Sequence, residues 1–196
     1  MINIGVLVLA AGKSSRMNSI KQLEKINYQT LLDITLEKSK SVFFDNIFCV
    51  LGANANTIQQ EIATENINFI INKNFEEGLS SSIVTGIHHF KKSDLNFDAV
   101  FILLADQPAI EVAYLQSMIF LSEENKNKII ASIYGNKFGV PAIIPSKYFA
   151  DLLLIEADKG AKEFINYHKN DVLCPKLSTN LFDIDTKEDL NYFKKS

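Results

Sequence analysis

The chain has 196 residues, of which 47% are hydrophobic and 22% charged, and its formal net charge is −3 at pH 7. This composition is typical of a folded globular protein, and it excludes a disordered chain and a nucleic-acid-binding protein, because no strongly basic segment is present. The longest apolar stretch, Ile4 to Gly12, is shorter than a membrane span and has no basic residue before it, so it predicts a strand and not a signal or membrane helix. Cys49 and Cys174 have no metal-binding spacing and indicate reduced thiols in a cytoplasmic protein.

Apolar runs alternate with segments of helical spacing along the chain. The runs are continuous and predict strands that are covered on both faces, at Ile2–Ala10, Ile47–Leu51, Phe69–Ile71, Ala99–Leu104, Ile129–Ile133 and Ala142–Ile144. The predicted helices cover Thr30–Phe44, Asn56–Glu65, Ser80–Phe90, Ala109–Ser122, Ser146–Ile155 and Gly160–His168, with N-caps at Asn56 and among serines 80–82. The alternation predicts one domain over residues 1–196 with an α/β fold. Its sheet would be doubly wound, mostly parallel and Rossmann-like, with helices on both faces and ligands beyond the carboxyl ends of the strands.

The segment after the first strand has the features of a phosphate-binding loop. Ala10, Ala11 and Gly12 are small enough for backbone N–H groups to approach an anion, and basic side chains follow at Lys13, Arg16 and Lys21. Of the 20 basic residues, Arg16 is the only arginine, and a guanidinium grips phosphate with a fixed fork of donors. The spacing fits neither a Walker A loop nor a GxGxxG fingerprint. The alternative is a tight turn with solvated lysines.

Carboxylates at two places have spacing that indicates a metal site. Asp106 follows the predicted strand Ala99–Leu104, where a charge needs a partner such as a hard divalent cation. Asp183 and Asp185 are two residues apart, so at a strand end they would share one face. Asp189 is explained by the first turn of the last helix and is not assigned to the site.

Several segments together resemble the molybdenum cofactor nucleotidyltransferase family, the MobA-like NTP transferases. The most specific string is Leu9-Ala10-Ala11-Gly12-x-Ser14-x-Arg16-Met17-x-x-x-Lys21. Further segments match in the same order, namely Asn72-x-x-Phe75-x-x-Gly78-Leu79-Ser80-Ser81-Ser82, Phe101-Ile102-Leu103-Leu104-Ala105-Asp106-Gln107-Pro108, Gly139-Val140-Pro141-Ala142, Ala157-Asp158-Lys159-Gly160-Ala161-Lys162 and Asp183-Ile184-Asp185-Thr186. The resemblance implies the glycosyltransferase-A-type fold of nucleotide-diphospho-sugar transferases.

The resemblance also implies roles for individual residues. Nucleotide binding falls on Leu9, Ala10, Ala11, Gly12, Ser14, Arg16, Lys21, Asn72, Gly78, Ser80 and Ser81. Arg16, Lys21 and Asp106 are the implied catalytic residues, and Mg²⁺ is the implied cofactor at Asp106, with Asp185 preferred over Asp183 as its second ligand. Acceptor binding falls on Gly139, Pro141, Asp158, Gly160 and Lys162. Ala157 and Lys162 stand where the family has glycine and arginine, which weakens the expectation of a bidentate phosphate contact there.

The sequence Ala10-Ala11-Gly12 resembles the cytidylyl-transferring branch of the family, whereas Gly-Gly is more typical of the guanylyl branch. The implied reaction moves a CMP group from Mg-CTP to the terminal phosphate of molybdopterin and releases pyrophosphate. A molybdenum hydroxylase would then receive the product. Two alternatives stay open: a GTP-dependent or sugar- or alcohol-phosphate nucleotidyltransferase of the same fold, and a non-catalytic accessory protein that binds the nucleotide or the cofactor.

Overall fold

A seven-stranded sheet forms the centre of the computed structural model, which describes residues 2–43, 45–93, 95–155 and 160–195. Its strands are β1 (Ile4–Ala10), β4 (Ile47–Leu51), β5 (Asn68–Ile71), β6 (Ala99–Leu104), β7 (Ile129–Tyr134), β8 (Lys137–Pro145) and β9 (Val172–Leu173). Between β1 and β4 the chain also forms a small hairpin of β2 (Lys25–Ile26) and β3 (Gln29–Thr30).

The strand order in the sheet is β5-β4-β1-β6-β8-β7-β9. β1 pairs in parallel with β4 on one side and with β6 on the other, and in this sheet β8 alone runs against its neighbours. The strands that follow β1 in the chain, β4 and β5, therefore lie on one side of β1, and the strands from β6 onwards lie on the other side. Ligands of open α/β sheets bind at the carboxyl ends of the strands at such a reversal. The predicted doubly wound, mostly parallel fold is confirmed, and its reversal point lies between the loops that follow β1 and β6.

Seven helices lie in the described residues, and the first six pack on the two faces of this sheet. They are α1 (Leu31–Val42), α2 (Ala55–Glu61), α3 (Leu79–Lys92), α4 (Val112–Glu124), α5 (Phe149–Leu152), α6 (Ala161–Tyr167) and α7 (Lys187–Phe193). Leu7 of β1 joins a core with Ile83 of α3 and Ile165 of α6, whereas its neighbour Val8 joins a second core with Leu36 of α1. Because successive side chains of β1 enter opposite cores, the strand is apolar throughout its length.

The close contact between α3 and β1 depends on Gly86. A Cβ atom at this position would come within 2.5 Å of the Leu7 side chain, so any larger residue would push the helix away from the sheet. The middle of α3 is thereby packed closely against the middle of β1. Among the described residues, no helix combines the length and the apolar character needed to cross a membrane.

Two predicted helix starts are wrong. Asn56 lies inside α2, which begins after Asn54, a residue with a φ of 57° and no side-chain capping hydrogen bond. Serines 80–82 lie in the first turn of α3, whose N-cap is Gly78. The predicted helix Ser146–Ile155 is also shorter than expected, because Ser146–Tyr148 form a 3-10 turn before α5.

The region around Pro141 differs more from the sequence prediction. Gly139 and Pro141 were expected to precede a strand, but both lie within β8. The neighbouring β7 residues Ala131 and Ser132 pair with Ala142 and Gly139, so Val140 and Pro141 form a bulge between them. A bulge tolerates a residue without an N–H donor, which explains how a proline fits inside the sheet.

Candidate active site

A cleft of about 300 Å³ opens at the carboxyl ends of β1 and β6, at the reversal point of the sheet. Its lining includes seven of the residues to which the sequence assigned nucleotide or metal binding, namely Leu9, Ala10, Ala11, Gly12, Lys21, Gly78 and Asp106. Six further residues complete it: Gln22, Phe75, Leu79, Ser82, Leu104 and Ala105. The cleft thus brings together the first loop, the start of α3 and the end of β6.

The loop after β1 is held in shape by Ser14 and Gln22. Ser14 has a φ of 56°. The Ser14 hydroxyl donates to Gln22 Oε1 at 3.1 Å and accepts a hydrogen bond from the Lys21 backbone N–H at 3.0 Å. The Gln22 side chain is buried and donates through Nε2 to the Ala10 and Gly12 carbonyls at 2.8 and 3.1 Å. The Ser14 side chain therefore shapes the loop by internal hydrogen bonds.

Lys21 joins two carboxylates beside the cleft. Its Nζ lies 2.7 Å from Asp106 Oδ2 and 2.9 Å from Asp185 Oδ1, and Arg16 Nη2 lies 3.2 Å from Asp185 Oδ2. Burial acts to lower the pKa of Lys21, but the Asp106 and Asp185 carboxylates raise it above its ordinary value. Partial burial acts to raise the pKa of Asp185, but Lys21 and Arg16 hold it below its ordinary value. Lys21 and Asp185 are therefore both charged at neutral pH.

Asp183 and Asp185 lie in the loop before α7, so the prediction that they end a strand is wrong. The loop is fixed between them, because the Ile184 N–H donates to the Asp106 carbonyl at 2.9 Å and the Ile184 side chain is buried. Asp189 belongs to the capping box of α7 and also accepts the Asp185 N–H at 3.1 Å. These bonds place Asp185 beside Asp106 without a strand.

Asp183 has a different environment from Asp185. Its Oδ1 accepts from Gln107 Nε2 at 2.8 Å. Removal of its carboxyl group from water and the nearby Asp106 and Asp185 carboxylates raise the pKa of Asp183, although Gln107 opposes this shift. The two aspartates of this loop thus differ in partner and in the direction of their pKa shifts.

The donor set of Asp106 and Asp185 fits a divalent cation that takes its remaining ligands from elsewhere. Asp106 Oδ1 is buried and has no hydrogen-bond partner among the described residues, and carboxylate oxygens are the protein ligands that Mg²⁺ and similar ions prefer. Within the same residues, no three His, Cys, Asp or Glu side chains come together closely enough to hold a metal ion. Mg²⁺ is commonly held by one or two carboxylates together with substrate phosphates and water, so two carboxylates suffice.

At the start of α3, a glycine with a positive φ angle lies next to buried polar side chains. Gly78 has a φ of 91°, a conformation that favours glycine. Asn72 is buried, and its Nδ2 donates to the Ser81 and Ser82 hydroxyls at 2.8 and 3.1 Å. Ser81 in turn donates to the Gly78 carbonyl at 2.8 Å, and Ser80 is also buried. The polar groups of Asn72 and Ser81 hold this edge of the cleft together.

None of the described residues assigned to the acceptor lines the cleft. Gly139 is buried against Tyr134, whose ring a Cβ atom at Gly139 would approach to 3.0 Å. Gly160 caps α6, and a Cβ atom there would lie 3.9 Å from Leu79, which lines the cleft. Lys162 is exposed on α6. Asp158 lies outside the described residues.

The structure adds residues that the sequence left without a role. Gln22 and Gln107 directly follow Lys21 and Asp106, so their positions beside site residues were a usable signal. Phe75 stood within one of the quoted segments and lines the cleft. No sequence pattern connects Tyr134 with Gln107, yet Gln107 Nε2 donates to the Tyr134 hydroxyl at 2.7 Å.

Comparisons with known proteins agree with this geometry. The chain is 30% identical over 146 residues to the bifunctional protein GlmU of Ruthia magnifica subsp. Calyptogena magnifica, a match that covers 74% of this chain and 31% of GlmU. The chain spans about a third of the length of the curated relatives it matches.

Solved structures show the same fold over almost the whole chain. The homologue of Mycobacterium tuberculosis Rv0371c from Mycobacterium sp. strain JC1 superposes with a TM-score of 0.83 at 25% identity, over 98% of this chain and 95% of that one. Rv0371c of M. tuberculosis H37Rv in complex with manganese gives 0.78 at 22% identity, over 99% of both chains. The sequence model described as "MobA-like NTP transferase domain" matches residues 6–172. The resemblance read from the motifs is confirmed, and this chain belongs to the family of MobA-like NTP transferase domains, a family of nucleotidyltransferases.

Proposed function

We propose that the protein transfers a CMP group from Mg-CTP to the terminal phosphate of molybdopterin and releases pyrophosphate. The observation that carries this proposal is the cleft in which the small-residue loop after β1 meets Lys21 and Asp106, with Asp185 bonded to Lys21 beside it. A nucleoside triphosphate and a divalent cation need these two parts next to each other. The product would pass to a molybdenum hydroxylase.

The preference for CTP rests on the side chains of the first loop. Ala10 and Ala11 line the cleft where a glycine pair would leave more room. Their methyl groups would crowd the larger purine ring and leave space for a pyrimidine. Variants with glycine at both positions should therefore gain use of GTP, and a double variant that keeps the CTP preference would contradict this explanation.

Asp106 and Asp185 are the residues that would hold the cation. Mg²⁺ bound there would neutralise charge on the triphosphate. Lys21 lies between the two carboxylates and is positioned to turn from them to a phosphate oxygen of the nucleotide, and the exposed Arg16 side chain extends beside it. The Arg16 and Lys21 cations would stabilise negative charge that develops on the phosphates during transfer.

The reaction needs no base to generate the nucleophile. A terminal phosphate oxygen of the acceptor is already anionic; it attacks the α-phosphorus of CTP and forms a new P–O bond. The bond from that phosphorus to the bridging oxygen breaks, and pyrophosphate leaves with the electron pair. The task of the protein is to position the two substrates and to balance their charge. Gly139, Pro141, Asp158, Gly160 and Lys162 are the residues we assign to the acceptor side.

The second candidate is nucleotidyl transfer to another phosphate-bearing acceptor, such as a sugar phosphate, or with GTP as donor. The observation that favours it is that none of the described residues assigned to the acceptor lines the cleft, so the cleft geometry does not select molybdopterin over another phosphate-bearing acceptor. The loop after β1 and the carboxylate cluster would serve either reaction, so the acceptor and the nucleotide must be tested directly.

The first test is thermal stabilisation by CTP, GTP, ATP and UTP, each with and without Mg²⁺, because a ligand that binds only the folded state raises its stability. We expect a magnesium-dependent shift that is largest for CTP. Lys21→Ala should lose most of this shift, whereas Lys25→Ala, which removes an exposed lysine of the β2–β3 hairpin, should keep it.

Pyrophosphate release then identifies the acceptor. Release with molybdopterin and CTP supports the proposal, and release with a sugar phosphate but not with molybdopterin supports the second candidate. Nucleotide binding without pyrophosphate release from any acceptor would indicate the non-catalytic accessory protein and contradict both.

A further inference from the structure

We propose that Gln107 is a positioning residue, which holds the loop of Asp183 and Asp185 against Asp106 and connects it with the bulge of β8. Gln107 directly follows Asp106 and is 3% exposed. This inference rests on the proposed cation site at Asp106 and Asp185. It adds a role for a residue to which the proposed function assigns neither the nucleotide nor the cation.

The hydrogen bonds of Gln107 reach two separate parts of the chain. Nε2 donates to Asp183 Oδ1 at 2.8 Å and to the Tyr134 hydroxyl at 2.7 Å. The Tyr134 hydroxyl in turn donates to the Val140 carbonyl in the bulge of β8. One amide group therefore connects the end of β6 with β7, with β8 and with the loop before α7.

The chemistry of the partners fixes the orientation of this amide. A carboxylate only accepts hydrogen bonds, and the Tyr134 hydroxyl already uses its hydrogen on Val140, so both partners require donors from Gln107. A glutamine has two such donors on its nitrogen, and both are used. A methionine or leucine of similar volume would fill the same space but could supply neither bond.

The position is not explained by packing alone. The Gln107 Oε1 atom is buried and has no hydrogen-bond partner among the described residues. Burying an amide oxygen without a donor is unfavourable, so an apolar side chain would suit the interior better. A buried glutamine that leaves its oxygen unpaired while its nitrogen donates to Asp183, in the loop of the cation site, is best explained by its effect on that loop.

Gln107 supplies the side-chain hydrogen bond on the Asp183 side of this loop. Residues 174–186 contain no helix or strand, and the Ile184 N–H bond to the Asp106 carbonyl fixes the residue between the two aspartates. On one side of Ile184, Asp185 is held by Lys21, by Arg16 and by the bond of its N–H to Asp189, and on the other Asp183 is held by Gln107. If the bond from Gln107 is lost, the Asp183 side of the loop is released, and the orientation in which the loop presents Asp185 to the cation can change.

The test measures binding of Mn²⁺ alone to the full chain, by the loss of the free-ion signal in electron paramagnetic resonance, together with unfolding in urea. For Gln107→Met we expect the Kd for Mn²⁺ to rise about tenfold, since changing the groups that orient metal ligands commonly costs about 10- to 100-fold in affinity. We expect little net change in its stability, because removal of the buried, unpartnered oxygen offsets the loss of the hydrogen bonds to Asp183 and Tyr134. A residue with a merely structural role would show the opposite pattern, with lower stability and an unchanged Kd.

Two further variants keep the test decisive. Gln116→Met changes an exposed glutamine of α4 and should leave the Kd unchanged. Tyr134→Phe removes the two neutral hydrogen bonds of the Tyr134 hydroxyl, with Gln107 and with Val140, but leaves the bond from Gln107 to Asp183. It should therefore raise the Kd less, by about threefold, even if Gln107→Met fails to fold. If the unaltered protein does not bind Mn²⁺ alone, and Mn²⁺ also fails to raise its Tm in the presence of CTP, the proposed cation site itself is wrong. If it binds Mn²⁺ and both network variants bind it equally well, the cation site stands and the role of Gln107 is refuted.

Discussion

Replacing Lys21 by methionine tests whether this lysine balances the charge of the aspartates beside the cleft. Methionine keeps most of the length of the side chain but removes the ammonium group that bonds to Asp106 and Asp185. A hydrogen bond to a charged group contributes roughly 1.5–3 kcal/mol. The side chains of Lys21, Asp106 and Asp185 are 17%, 21% and 36% exposed, so water screens part of this energy, and the loss should be about 2 kcal/mol and not the full sum of two bonds. For a chain of this size that corresponds to a fall in Tm of about 4–8 °C.

The same charges also predict how the loss of stability in Lys21→Met depends on a divalent metal ion. Without Lys21, the carboxylates of Asp106 and Asp185 repel each other, and a divalent cation should recover stability by binding between them. Thermal unfolding with and without Mg²⁺ should therefore show a larger metal-induced rise in Tm for Lys21→Met than for the unaltered protein.

The matched control is Lys128→Met, which breaks the more exposed pair with Asp171, whose side chains are 40% and 44% exposed. An exposed pair contributes about 0–1 kcal/mol, so this variant should lose little stability and gain no response to Mg²⁺. The reasoning is refuted if Lys21→Met unfolds at the same temperature as the unaltered protein, or if Mg²⁺ raises the Tm of Lys21→Met and Lys128→Met equally.

Three further changes test other parts of the site. Asp106→Asn should abolish nucleotidyl transfer while the far-ultraviolet circular dichroism spectrum stays that of the folded protein, because the change removes one charge and no volume; full turnover would remove Asp106 from the site. Asp183→Asn should raise the free energy of unfolding at neutral pH by less than about 1 kcal/mol, since a raised pKa means that the folded state disfavours the charged form. This gain in stability should vanish as the pH falls through the folded-state pKa of Asp183 towards the ordinary pKa of an aspartate. Asp185 has a lowered pKa, so Asp185→Asn should instead lower the stability at neutral pH. Urea unfolding at several pH values checks the sign of both effects. Gly52→Ala would place a Cβ atom 2.5 Å from Phe75 and 2.7 Å from the Ala11 carbonyl, so it should lower the free energy of unfolding by about 1–3 kcal/mol and weaken nucleotide binding. In the control Gly5→Ala, the Cβ atom would lie 2.7 Å from Phe97, which is not part of the cleft lining, so this variant should lose stability alone.

Most of the fold could be predicted because its central strands are buried on both faces. β4 and β6 have the predicted bounds, since a strand between two cores is apolar at every residue and polar residues follow where it ends. The same pattern failed for β8, where Pro141 and Gly139 interrupt the apolar run. A bulge that accommodates a proline depends on the partner strand, and the local sequence carries no information about that partner.

Candidate site residues could be predicted where a residue of suitable chemistry directly follows a strand, but not where the site depends on contacts between residues far apart in the chain. The loop after β1 and Asp106, which line the cleft, could be singled out as candidates because each follows a buried strand. The ion pair of Lys21 with Asp106 joins residues 85 positions apart, and the bond of Gln107 to Asp183 joins residues 76 positions apart. No spacing in one sequence specifies such pairs, because they depend on how the sheet brings the strand ends together.

The charge balance of the cleft limits which ligands it can accept. Asp106, Asp183 and Asp185 carry three negative charges when ionised, and Lys21 and Arg16 carry two positive ones, so this cluster has an excess of one negative charge. A triphosphate anion alone would be repelled by that excess, and its phosphates would have to compete with Asp106 and Asp185 for Lys21. A triphosphate that arrives with a divalent cation meets the opposite situation, because the cation satisfies the carboxylates and frees Lys21 for the phosphates. The cluster therefore favours a metal–nucleotide pair over either component alone, and this preference requires that the two bind cooperatively, with a coupling that is lost in Lys21→Met.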